Sequence, residues 1–427
     1  MASFWGIVAA GILLRVLVVV YAGNGVSTHL SGGSDAPAYI LLAHNLADGR
    51  GYTYAGYPDA YRAPIYPILL AGAIKVFGGH ALAAMRWFQF LEGLATAFLC
   101  AATARRLFGE KAKRAALVFA LFFPTLVMMT GEILTETTAA LFSALFFYLL
   151  VRYLERPHWG ILTVLAAVAG LATVVRFNMA LYGMVLLCTV LFMKPGLPRL
   201  RSAAVVILVS GIVLSPWLIR NFIVFKGACL LSTGSGITAA VGTFGPQGRT
   251  LPGETGKMRD ALGWAPPVDM ETNDASRRRL GPEPTLNQQA WQVVYAVWRN
   301  EGFQLVLLSL QKVGYFLLST EQLLSTASFP PSIRLVRAGG VLAYWALLAL
   351  AVGGWFELRR HKRDLAYLIL LYVVFVAVAH LPFAMNTRLR IPFTDPLIAV
   401  LAGGGLAAGV FRKSSDQDAA ALNAAPE

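Results

Sequence analysis

The sequence predicts an all-α polytopic membrane protein, with about 10 transmembrane helices and further interfacial helices in the outer loops. Three observations predict it. Of 427 residues, 57% are hydrophobic and only 14% charged, too few charges to cover a soluble domain of this size. The apolar residues fall in runs of about 20, the length that crosses a bilayer as a helix. The basic residues, which give a formal net charge of +14, gather in short segments between those runs, as the positive-inside rule expects of cytoplasmic loops. In a soluble chain that charge would suggest nucleic acid; here no nucleic-acid partner is expected. The period-two alternation of an outer-membrane barrel is absent.

The first run, "MASFWGIVAAGILLRVLVVVYAG", lacks a basic start and is interrupted by Arg15. It reads as an uncleaved span over about 4–22 rather than a signal peptide. Further spans are expected near 81–104, 115–131, 134–152, 160–175, 179–193, 203–222, 338–356, 365–384 and 392–411. Two other apolar segments are not counted as crossings. "PIYPILLAGAIKVFGG", from Pro64, is short and carries Lys75; "FQLVLLSLQKVGYFLLS", from Phe303, carries Gln304, Gln311 and Lys312. Both suit helices at the interface or only partway in.

With those two set aside, the basic clusters fall on one side. They are Arg105, Arg106, Lys111, Lys113 and Arg114; Arg152 and Arg156; Lys194, Arg199 and Arg201; Arg359, Arg360, Lys362 and Arg363; and Arg412 and Lys413. Both termini are then cytoplasmic, while the first loop (23–80) and a long loop (225–337) lie outside. Residues 1–427 read as a single transmembrane domain. The long loop is rich in Gly, Pro and charge, and is expected to be irregular and to end in an amphipathic helix. The three cysteines are too scattered for a disulfide framework or a metal site. The Gly-rich "TGSG" at 233–236 lacks a preceding strand and the Lys of a phosphate-binding loop.

The unusual polar residues gather near the outer span ends: Asp35, Arg62, Glu132, Glu136, Arg176, Arg220, Arg388 and Arg390. Charges at that depth need partners or a wet cavity. Each also has a plainer reading. Asp35 could be a helix N-terminal acid beside Ser34 and Pro37. Glu132 and Glu136, four apart, would share a helix face, and one could pair with Arg176. The arginines could be interfacial anchors. Tyr39, Leu42 and Leu46 form a stripe suited to the bilayer surface.

An outward cavity has no access to ATP or cytoplasmic nucleotide sugars, so an enzyme there needs a donor activated within the membrane. A polyprenyl-phosphate sugar fits. Arginine holds phosphate oxygens, and a carboxylate takes the acceptor's proton. The competing class is a transporter or flippase for an anionic lipid or solute, which predicts midplane charges, broken helices and inverted repeats. Only Arg15 and Glu92 are midplane charges, and no repeat is evident. A scaffold role is the third reading.

The motifs "SDAPAYILLAHNL", "YRAPIYPILLAGAIKVFG", "RWFQFLEGLATAFLCAATARRLFGEKAKRAALVFALFFP", "LTE", "PWLIRNFIVFKG" and "RLRIPFTDPLIAVLAG" resemble the GT-C superfamily of polyprenyl-phosphate-sugar glycosyltransferases, and within it the bacterial relatives of dolichyl-phosphate-mannose–protein mannosyltransferase. The resemblance covers about 30–225 and 380–410. It implies that Asp35 is the acceptor-activating base, with Glu132 and Glu136 in reserve. It implies a sugar site bordered by Arg62, Tyr39 and the "PIYP" turn with Tyr66, and an Arg388–Arg390 pair near the lipid phosphate. Displacement without a covalent intermediate would invert the anomeric centre. The acceptor would be a glycolipid, a glycan or a protein at the outer face of a bacterial inner membrane, among membrane lipids. No cofactor is implied. A divalent metal is possible but not argued by the sequence, and Ala36, standing where many relatives carry a second acid, weakens the case for one. No large soluble domain follows the last span, which sets the chain apart from the oligosaccharyltransferase branch.

Overall fold

The computed structural model describes residues 2–25, 35–54, 56–193, 196–243, 283–320, 331–381, 383 and 387–422. Ser34 and most of the Gly/Pro-rich part of the long loop lie outside the described residues. The helices are α1 (Ala2–Ala22), α2 (Ala36–Ala47), α3 (Ile65–Phe77), α4 (Ala81–Phe108), α5 (Glu110–Phe122), α6 (Pro124–Thr130), α7 (Glu136–Glu155), α8 (Trp159–Val175), α9 (Leu181–Phe192), α10 (Arg199–Val224), α11 (Ser235–Thr243), α12 (Glu283–Leu318), α13 (Pro331–His361), α14 (Arg363–His380) and α15 (Thr387–Leu422). The strands found among the described residues, Thr53–Tyr54 and Tyr57–Pro58, pair antiparallel inside the first loop.

The all-α polytopic architecture is as expected; the number of spans is less plain. Among the described residues, 7 helical segments are long and apolar enough to cross a membrane, or 8 with α5 and α6 taken as one span bent by 50°. Among the described residues each of the ten expected segments is mainly helical, but α8 has only 17 residues, about 25 Å at 1.5 Å per residue, short of a hydrocarbon core of about 30 Å. The segment Phe177–Phe192 is shorter still.

Two expectations change. The Pro64 segment does not stand alone: α3 runs through one 3-10 turn, Gly78–His80, into α4, and Ile65–Phe108 forms a 44-residue apolar unit. The Phe303 segment is the C-terminal part of the 36-residue helix α12. There Lys312 is buried, donating to the carbonyls of Gly242 and Leu381.

α15 is the central helix, with 83% of its most apolar stretch buried against 22% for α1. It reaches that position through small residues, which let helix backbones approach in a membrane. A Cβ on Gly354 of α13 would collide with the carbonyl of Leu401, and one on Gly405 of α15 with that of Leu350. Exposed Leu13, Leu17 and Val20 on α1 are what a lipid-facing surface needs. At one end of the bundle Glu155 binds Arg106 at 2.7 Å and Lys362 at 3.2 Å, so loops expected to be basic do meet there. The other end holds the acids and arginines singled out above.

Candidate active site

Asp35 stands immediately before α2. Its backbone is already helical and its carboxylate makes no capping bond, so the plain capping role is not what its side chain does. Its Oδ2 accepts from Arg388 Nη2 at 3.0 Å, and its Oδ1 lies 3.9 Å from Arg62 Nη2. About a third of the side chain, 36%, stays open.

Arg388, from the first turn of α15, also donates through Nε to Glu136 Oε1 at 2.9 Å. Arg176, after α8, reaches the same oxygen at 3.1 Å and Thr135 Oγ1 at 2.9 Å. Glu136 is fully buried, and its Oε2 has no hydrogen-bond partner among the described residues. Five chain segments thus build one line of alternating charge: Arg62, Asp35, Arg388, Glu136, Arg176. Buried charges persist when each has an opposite neighbour, and this line provides one for all five.

Arg62 is the least satisfied member. Its backbone is fixed, the N–H donating to Asp59 Oδ1 at 3.2 Å and the carbonyl accepting from the Tyr52 hydroxyl at 2.9 Å. Its guanidinium instead lies among the rings of Tyr39, Tyr54 and Tyr61, at 6.0, 5.3 and 5.2 Å, within cation–π reach. Its Nε is buried without a partner among the described residues. Burial opposes the Arg62 charge, but Asp35 and Asp59 more than offset this and raise its affinity for the proton.

Partial burial pushes the Asp35 carboxyl up, yet Arg388 and then Arg62 outweigh it and hold it below the usual carboxylate range. Burial and the neighbouring Asp35 charge push the Tyr39 hydroxyl up to about 12, so it stays a neutral donor.

The remaining candidates separate. Tyr66 is buried, its hydroxyl donating to Gln89 Oε1 at 2.6 Å and its ring edge-on to Tyr39. Glu132 does not share a helix face with Glu136: it lies in the turn between α6 and α7, where its carbonyl accepts from Gln89 Nε2 at 2.7 Å. The Tyr39 and Leu42 stripe packs against protein rather than lipid, and Leu42 is fully buried. Arg220 clamps the first loop, donating to the carbonyls of Asp59 and Tyr52 at 2.7 and 2.9 Å. Arg390 does not join Arg388, because two residues along a helix lie on different faces. Its Nη1 donates to the carbonyls of Phe316, Leu317 and Ser319 at the end of α12, its Nε lies 3.6 Å from Asp395 Oδ1, and its guanidinium covers the Tyr344 ring. Arg390 also borders an apolar cavity of about 360 Å³ between α12, α13, α14 and α15, lined by Leu318, Leu348, Trp355, Val373 and Leu397.

Sequence reasoning missed Arg86 and Gln89. Arg86 Nε donates to the Gly131 carbonyl at 2.6 Å, and Gln89 holds those of Thr130 and Glu132. A signal was present: Arg86, Gln89 and Glu92 recur every third residue, one polar face on an apolar helix. No group of three His, Cys, Asp or Glu that could hold a metal occurs among the described residues.

The chain resembles known proteins in part of its sequence and in its fold. Residues 61–219 match the family profile "Dolichyl-phosphate-mannose-protein mannosyltransferase". Comparison with curated proteins finds no match. Among solved structures, the chain is similar to the apo oligosaccharyltransferase of Archaeoglobus fulgidus, at 14% identity and TM-score 0.56, covering 99% of this chain and 52% of that one. The oligosaccharyltransferase AglB of Archaeoglobus fulgidus in complex with an inhibitory peptide and a dolichol-phosphate matches at 13% identity and TM-score 0.53, covering 98% and 52%. ArnT of Cupriavidus metallidurans bound to undecaprenyl phosphate aligns at 16% identity and TM-score 0.43, covering 94% and 78%. The chain spans about half the length of the oligosaccharyltransferase chains it matches. It is a polytopic membrane protein with a GT-C-like fold, and its residues 61–219 match the profile of the dolichyl-phosphate-mannose-protein mannosyltransferase family.

Proposed function

We propose that the protein transfers a sugar from a polyprenyl-phosphate donor to a hydroxyl of a lipid, glycan or protein acceptor, at the outer face of a bacterial inner membrane. The observation that carries this reading is Asp35, partly open and ionised, set between two arginines at the end of an apolar bundle. Asp35 takes the proton of the acceptor hydroxyl as its oxygen attacks the anomeric carbon. The bond to phosphate oxygen breaks on the opposite face, which inverts the centre, and the polyprenyl phosphate leaves. Arg62 is the cation for that phosphate. Its guanidinium donates no hydrogen bond among the described residues, whereas Arg388 already bridges two carboxylates. The apolar cavity bordered by Arg390 suits part of the isoprenoid chain. Tyr39, Tyr66, Glu136 and Arg176 shape the sugar side.

Asp35→Asn keeps the shape and removes the base. Purified protein should bind donor normally but turn over about 100-fold more slowly or worse, the usual size of a general-base effect. Wild-type turnover in this variant would end the case for Asp35. Equal activity of the wild type with a soluble nucleotide sugar would sink the lipid-donor reading.

A further inference from the structure

Arg15 lies in the second half of α1, is 1% exposed and carries its charge at membrane depth, where a charge is most costly. No ion pair among the described residues includes it. Oxygens hold it instead. Nη2 donates to the Ala120 carbonyl at 2.8 Å; Nη1 donates to the Leu126 carbonyl at 3.2 Å and to Thr130 Oγ1 at 2.9 Å. These three acceptors flank the break between α5 and α6.

Pro124 explains the first of them. Proline has no amide hydrogen, so the carbonyl four residues earlier, that of Ala120, loses its helical donor. Hydrocarbon offers no replacement. Arg15 supplies one from a different helix. The neighbouring backbone is shaped for it: a Cβ on Gly93 of α4 would stand 2.8 Å from Arg15 Nη1. One turn earlier on α1, a Cβ on Gly11 would meet Leu121 Cβ at 2.9 Å, so α1 lies hard against the end of α5.

The break has a consequence at the site. The bend of 50° ends α6 at Thr130 and delivers the chain to the turn before Glu136. Glu136 orients Arg388, and Arg388 orients Asp35. We propose that Arg15 is a positioning residue for the carboxylate site. By replacing the donor that Pro124 lacks, it sets the bend between α5 and α6, and through it the placement of Glu136, Arg388 and Asp35. The consequence for turnover rests on the glycosyl-transfer reading; the coupling to Glu136 does not.

The test uses the full-length protein purified in detergent. Arg15→Met should lower the melting temperature, and should reduce kcat by about tenfold or more with donor KM nearly unchanged, as expected of a displaced catalytic group. Pro124→Ala restores the missing amide hydrogen, so Arg15→Met/Pro124→Ala should regain most of the lost melting temperature but not the turnover, because the bend goes with the proline. Glu136→Gln should lower the melting temperature less in Arg15→Met than in the wild type, the mark of coupled residues. Folded Arg15→Met with wild-type turnover, a double variant no more stable than Arg15→Met, or an equal Glu136→Gln loss in both backgrounds would each overturn the proposal. The melting-temperature cycles need no sugar donor. They decide the matter even if the wild type transfers no sugar, a result that would count against the proposed reaction alone.

Discussion

At the residue scale, the balance around Asp35 sets a pH dependence. Arg388 and Arg62 keep its carboxyl below the usual range, so the base stays ionised through neutral and mildly acid pH. A depressed pKa means activity is present above it and lost as pH falls through it. The acid limb of kcat/KM, which reports the free enzyme, should therefore lie below about 4, the ordinary aspartate value. Arg62→Gln removes one of the two cations, and the limb should move to higher pH. A limb that stays in place would show that Arg62, at 3.9 Å, does not act on Asp35. Asp35, Glu136, Arg176 and Arg388 were legible in the sequence because charged residues at span ends demand partners. Their pairing was legible only for Glu136 with Arg176. The link from Asp35 to Arg388 joins residues 353 positions apart, and no local pattern encodes it.

At the element scale, Arg390 binds one helix to another. Its Nη1 meets the carbonyls of Phe316 and Leu317 in the last turn of α12 and of Ser319 just beyond it, where a helix end leaves carbonyls without intrahelical donors. Its loss would also leave Asp395, buried beside it, without its cation. Arg390→Ala should cost about 3–5 kcal/mol of stability, the usual result of breaking a buried pair. Arg390→Ala/Asp395→Asn should recover part of this. Thermal unfolding of the purified variants measures it, and a loss limited to donor KM would contradict the structural role. The sequence pattern located the apolar helices, because twenty-residue apolar runs are a strong signal, although α13 and α15 run well beyond the expected 338–356 and 392–411. It missed the joining of α3 to α4, since "GGH" at 78–80 reads as a breaker yet is accommodated in one 3-10 turn. It also missed the bend at Pro124, where the apolar run continues without interruption and only the proline marks the change.

At the scale of the whole molecule, the two ends differ in kind. One carries the line of acids and arginines around Asp35. The other carries Glu155 with Arg106 and Lys362, amid basic loops. The positive-inside rule predicts that the second faces the cytoplasm with both termini. On a cysteine-free background, Arg50→Cys should react with an impermeant thiol reagent in intact spheroplasts, and His361→Cys only after lysis; both positions are well exposed, at 60% and 69%. The opposite pattern would invert the protein and put the proposed donor out of reach.

The crossing of α13 and α15 lies toward that second end. Gly354 and Gly405 touch backbone there with no room for a methyl group. Gly405 is 17 residues along α15 from Arg388, about 25 Å at helical rise. A single-base change from glycine to alanine at either position forces apart the helix that carries Arg388. The protein is thus fragile to inherited variation in a place with no chemistry, and a chart of its harmful alleles would not be a chart of its active site.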